Sequence, residues 1–156
     1  MSAKNTTATA IIEALAGAVR VDWANAKLAK TTVDVAQDAQ HACDLLTAGM
    51  PNGLAVAIFY LSDGPVGSQT IGNAMIDATI RVGIVAKRGL ELRDGAKITG
   101  ALPLTDDFKA WMGRQVVPSL NGGKFKYAGM SPIVTPQGSV LSGYYLNYRA
   151  IYAQGV

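Results

Sequence analysis

From Ile76 to Lys87 the chain alternates without interruption. Even positions carry Ile76, Ala78, Ile80, Val82, Ile84 and Ala86, and odd positions carry Asp77, Thr79, Arg81, Gly83, Val85 and Lys87. Successive side chains of a strand point to opposite faces. The pattern therefore predicts one long strand with a dry face and a largely wet one. At about 3.3 Å per residue it runs roughly 40 Å, longer than most strands in globular domains.

Three other segments read as strands. Leu54–Leu61 (LAVAIFYL) is a continuous apolar run, too short to favour a helix, and predicts a strand covered on both faces. Ser62-Asp63-Gly64-Pro65 then turns the chain. Lys124–Val134 is extended but interrupted by Pro132. Val140–Ala153 alternates again, with Tyr144, Leu146, Tyr148, Ala150 and Tyr152 on one side and Tyr145, Asn147, Arg149 and Ile151 on the other. Thr135-Pro136-Gln137-Gly138 between them has the chemistry of a hairpin turn.

Helical spacing appears in three places. Thr6 or Thr7 caps a helix whose stripe is Ala8, Ile11, Ile12, Leu15 and Val19. A polar stretch follows from Trp23 to Lys30. A second helix is predicted from about Asp34 to Ala48, with a narrow stripe of Ala36, Ala39, Cys43 and Leu46, ended by Gly49-Met50-Pro51. After a long loop, Gly89–Leu104, Thr105 caps a third helix with Asp106 and Asp107 in its first turn and Phe108, Trp111 and Met112 on its buried face. The sum is an α+β fold, a mostly antiparallel sheet of about four strands packed against two or three helices, in a single domain spanning 1–156.

At 156 residues the chain can bury a substantial core without staples. Cys43 is the only cysteine, so no intramolecular disulfide can form, and a lone thiol suits a reducing compartment. Charged residues make up only 16%, against about a quarter in an average soluble domain. Either some surface is covered by neighbours or the surface is polar but uncharged, since Ser, Thr, Asn and Gln are plentiful. The net charge of +3 is scattered rather than gathered into a stripe, which argues against specific nucleic-acid binding. No apolar run approaches the ~20 residues that span a bilayer, and the first residues lack a secretory pattern.

Catalytic constellations fail on geometry. His41 and Cys43 lie two apart in a predicted helix and point away from one another, which disfavours both a Cys–His dyad and a metal pair; a surface His and a buried Cys are expected. Adjacent Asp106 and Asp107 diverge by about 100° and read as helix-start carboxylates. Asn121-Gly122-Gly123-Lys124 precedes Phe125 and a strand, so it is a turn and not a phosphate loop. Tyr144, Tyr145, Tyr148 and Tyr152 are expected in the core or half-buried in the sheet. No catalytic, cofactor or metal residue is assigned.

The order of segments carries a resemblance. An amphipathic helix (Ile11–Val19) precedes an apolar strand (Leu54–Leu61) and a long alternating strand ending in basic residues (Ile76–Lys87). A helix with an aromatic face (Phe108–Val116) and a final strand of the Y-x-x-N-Y-R-A kind (Tyr144–Tyr152) follow. This resembles the tail terminator or tail completion proteins of tailed bacteriophages. The resemblance implies a protomer that assembles in the host cytoplasm into a homo-oligomeric ring, commonly hexameric. In the virion such a ring caps the tail tube and meets the neck proteins, without cofactor, catalysis, nucleic acid or membrane. Arg81, Lys87, Arg88, Arg93 and Arg149 are the candidate interface residues under it. Another head–tail joint, a minor tail protein, or a small-molecule-binding or enzymatic domain are the alternatives.

Overall fold

The long alternating segment is the middle strand of a five-stranded mixed sheet. The computed structural model describes residues 6–28, 30–66, 75–134 and 141–154. In chain order the elements are α1 (Ala8–Ala18), continued by a π-helical stretch (Val19–Ala24) and a last turn (Asn25–Lys27), then β1 (Thr32–Val35), α2 (Ala39–Ala48) and β2 (Leu54–Pro65). β3 (Met75–Lys87), α3 (Leu102–Arg114), β4 (Lys126–Pro132) and β5 (Leu141–Ala153) complete it. The strand order is β1-β2-β3-β5-β4. β1 pairs parallel with β2, and every other pairing is antiparallel.

β3 and β5 pair along their whole length, from Met75 opposite Ala153 to Lys87 opposite Leu141. Two equally long alternating strands lock one register, because a one-residue slip would turn every apolar side chain outward. The even side of β3 meets α1 and α3. There Leu15, Val19, Trp23, Phe108 and Met112 pack on Val56, Ile58, Ile80, Val82 and Leu146, all buried. Each such side chain contributes about 1.5–3 kcal/mol on leaving water. Trp23 meets the Phe108 ring edge-on, centroids 5.0 Å apart. On the opposite face α2 lays Ala42 and Leu46 over Ala55, Ala57, Phe59 and Val85. Gly83 permits that approach, since a Cβ there would sit 3.1 Å from Leu46 Cδ1.

The expected α+β fold, a mostly antiparallel sheet against two or three helices, fits in outline. Its details differ: among the described residues the sheet has a fifth strand and one parallel pairing. The extra strand is β1, four residues with Val33 buried, and the second helix therefore starts at Ala39 rather than Asp34. Asp38 sets that start, its carboxylate accepting from the His41 amide at 2.8 Å. Ser62–Pro65 does not turn the chain but prolongs β2 past a bulge at Leu61, the residue skipped between Tyr60 opposite Ile80 and Ser62 opposite Thr79. α3 begins three residues before Thr105, with Pro103 in its first turn where a missing N–H costs nothing. Thr105 is buried and its hydroxyl donates to the Leu102 carbonyl at 2.7 Å, so Asp106 and Asp107 fall beyond the first turn. The hairpin expected at Thr135–Gly138 lies outside the described residues.

Candidate functional site

α2 has 10 residues and β3 has 13. A helix rises about 1.5 Å per residue and a strand about 3.3 Å, so α2 covers little more than a third of the length of the strands beneath it. It sits over the Ala55–Phe59 and Gly83–Val85 end, leaving the other end of that face bare. The odd residues of β3 divide accordingly: Gly83 and Val85 are buried, while Asp77, Thr79 and Arg81 are only half-buried.

The register assembles the bare half row by row. Lys126, Arg149, Thr79 and Ser62 lie side by side across β4, β5, β3 and β2. Asn147, Arg81 and Phe59 form the next row, and Ile151, Asp77 and Gly64 flank the first on its other side. Arg81 Nε donates to Asn147 Oδ1 at 2.8 Å, and its guanidinium lies 5.2 Å from the Tyr145 ring centroid. Tyr145 in turn meets Phe59 edge-on at 6.4 Å. Arg149 forms an ion pair with Asp77, with Nε to Oδ1 at 3.1 Å. The hydrogen bond and charge of Asp77 raise the pKa of Arg149 further above its ordinary value. Burial raises that of Tyr145, with Cys43 adding to it and Arg81 opposing.

Of the five candidate interface residues, this surface unites Arg81 and Arg149. Lys87 lies opposite Leu141 at the other end of β3, six residues from Arg81 and so about 20 Å along the strand, and exposed Arg88 follows it. Arg93 belongs to neither group. It donates to the Asn25 carbonyl and side chain at 2.5 and 3.1 Å, tying the loop after β3 to the end of the first helix. Lys126, Asn147 and Asp77 were not singled out in the sequence. Alternation places Asn147 on the side of Arg149 and Asp77 on the side of Arg81, but only the strand pairing makes them neighbours.

Two tryptophan–aspartate hydrogen bonds join α3 to the π-helical stretch. Trp23 Nε1 donates to Asp107 Oδ2 and Trp111 Nε1 to Asp22 Oδ2, each at 2.8 Å, and Lys27 Nζ lies 2.6 Å from Asp107. The wider turn of a π-helix spaces Val19, Trp23 and Ala24 so that all three are buried while Asp22 remains beside α3. No motif in the sequence announces this arrangement, and it holds the molecule together rather than forming a reaction centre.

The remaining candidates resolve individually. Cys43 is exposed, not buried as expected, because the stripe that α2 buries is Ala42 and Leu46. His41 Nδ1 accepts from the Gln37 amide at 3.0 Å, a local helix-start contact. Tyr148 and Tyr152 are buried and Tyr144 and Tyr145 half-buried, as expected of sheet tyrosines. Tyr60 bonds Asp63 at 2.6 Å and Tyr152 at 3.0 Å. Burial first, then those two partners, raises its pKa well above 10, which keeps it protonated and unfit as a base at neutral pH. Among the described residues no three His, Cys, Asp or Glu side chains group as metal ligands, and no helix is long and apolar enough to cross a membrane. No protein-family model and no curated protein matches the chain.

Proposed function

We propose that this chain is a virion structural protein, a tail terminator whose copies form a ring that caps the tail tube and joins it to the neck. The bare half of the sheet carries the reading. It presents a pre-ordered polar ladder of Arg81, Asn147, Arg149 and Asp77 on rigid strands, a form suited to another protein surface. The sparse charge of the sequence and its resemblance to tail terminators point the same way. The chemistry required is packing, and the titratable groups of this surface, Arg81, Asp77 and Arg149, are engaged in structural bonds.

Two measurements test this. Light scattering with size-exclusion chromatography and electron microscopy of the purified protein should reveal a closed ring, and labelling of purified particles should place it where tube meets neck. A protein absent from the particle would end the reading. One elsewhere in the neck or tail would make it a different head–tail joint or a minor tail protein.

A further inference from the structure

The sheet ends in two edges of opposite character. Beyond β1, the far half of β2 has no strand neighbour on that side among the described residues. The Ala36 amide donates to the Ile58 carbonyl, so by alternation and past the bulge Tyr60, Asp63 and Pro65 turn their backbone outward. Beside them lies a groove of about 230 Å³ between the start of α1 and the β1–β2 edge, lined by Ala8, Ile12, Val35 and Tyr60. Its charges are acidic. Glu13 lines it and Asp63 holds the Tyr60 hydroxyl, whereas Asp34, opposite Ala57, and Asp38, capping α2, belong to the other face. Against them, Arg20 donates to the Val33 carbonyl and Lys30 lies before the other end of β1.

The β4 edge is the reverse. The Ile133 amide donates to the Gly143 carbonyl, so Tyr127, Met130 and Pro132 turn outward. Tyr127 is 47% exposed, and Lys109 Nζ lies 5.1 Å from its ring centroid. Lys124, which donates to the Gly113 carbonyl at 2.6 Å, and Arg114 are exposed at the end of α3 and the start of β4. Lys126 points to the other face of the same edge, and Asp106, paired to Lys109 at 3.6 Å, is the opposing carboxylate. Three strand spacings, about 14 Å, separate the open part of β2 from β4. Each edge carries a proline with no N–H to offer on its open side, Pro65 on one and Pro132 on the other. That chemistry discourages hydrogen-bonded strand addition and leaves side-chain docking.

We propose that these edges are the two halves of one head-to-tail contact between copies of this chain, in which the lysine-flanked Tyr127 edge seats in the acidic-rimmed groove beside Tyr60. The inference rests on the reading of the protein as a self-assembling joint and names the surface by which it assembles. The second copy is the occupant because an apolar ring amid cations at one end of the sheet complements an apolar groove amid carboxylates at the other. A contact between two different patches is heterologous, and repeating it builds a ring wherever the rotation closes.

Charge reversal in the full chain tests the contact. One variant carries Lys109→Glu and Lys124→Glu, and the other Glu13→Lys and Asp63→Lys. Size-exclusion chromatography with light scattering at low salt should show the wild type assembling and each variant alone weakened by about tenfold or more. An equimolar mixture should reassemble as alternating copies, since each contact in it is again between opposite charges. Tyr127→Ala, which changes no charge, should also weaken assembly. Tryptophan fluorescence confirms that each variant is folded. If the wild type assembles and the reversed variants assemble equally well, or the mixture recovers nothing, the surface assignment falls while the self-assembling reading stands. A wild type that stays monomeric overturns both and gives the groove to a different partner.

Discussion

Two polar side chains, one buried and one half-exposed, show how much hydrogen-bond partners decide. Tyr148 is 2% exposed, and its hydroxyl has no hydrogen-bond partner among the described residues. Burial, with Tyr127 adding to it, raises its pKa further above the ordinary phenol value. Removing an unsatisfied buried hydroxyl recovers its desolvation cost, so Tyr148→Phe should stabilise the fold by about 1 kcal/mol in urea unfolding. A clear loss instead would show that the hydroxyl has a partner. Asp107 is the opposite case. Partial burial pushes its pKa up, but hydrogen bonds from Lys27 and Trp23 outweigh this and hold it below the ordinary aspartate value. With a depressed folded pKa, its contribution is present above the unfolded value of about 3.9 and is lost as pH falls through the lower folded value. Unfolding of wild type and Asp107→Asn from pH 7 to pH 3 should therefore show the gap between them narrowing below about pH 4. A gap independent of pH would remove the charge from the explanation.

At the scale of elements, the periods that the sequence displayed were the ones packing enforces along a whole segment. β3 and β5 are long, each has a neighbour on both sides, and one face of each is buried over most of its length, so alternation survives in Ile76–Lys87 and Tyr144–Tyr152. β1 was hidden because Thr32-Val33-Asp34-Val35 is too short to display a period and runs into residues with helical spacing. Ser62-Asp63-Gly64-Pro65 has turn composition, yet on an edge strand proline is harmless and useful. The candidate site was legible only in part, since parity puts Asp77 beside Arg81 and Asn147 beside Arg149 while the contacts between the two pairs depend on register. The edge argument makes a prediction of its own. Pro65→Val and Pro132→Val each restore an outward N–H, and β-branched valine suits a strand. Both variants should stay folded but show light scattering that rises with concentration faster than that of the wild type, through unspecific strand pairing. Unchanged scattering would mean that the prolines do not guard the edges.

For the whole molecule, the two cores share one set of strands. Leu54, Val56 and Ile58 of β2 face α1 and α3, while Ala55, Ala57 and Phe59, interleaved with them, face α2. No backbone segment of β2 or β3 can unfold on behalf of one core alone, which predicts a single cooperative transition. The two tryptophans, Trp23 and Trp111, both lie on the α1–α3 side, so they report on one core only. Leu46 of α2 lies 4% exposed in the other. Leu46→Ala should cost about 2–5 kcal/mol through lost contact and a cavity. Because the strands are shared, that loss should move the tryptophan fluorescence midpoint as far as the far-ultraviolet circular dichroism midpoint. If circular dichroism shifts while tryptophan fluorescence keeps its wild-type midpoint, α2 unfolds as a separate unit. The bare half of the sheet would then lie beside a helix that can leave, and an incoming protein surface would have a wider face to cover than the native packing presents.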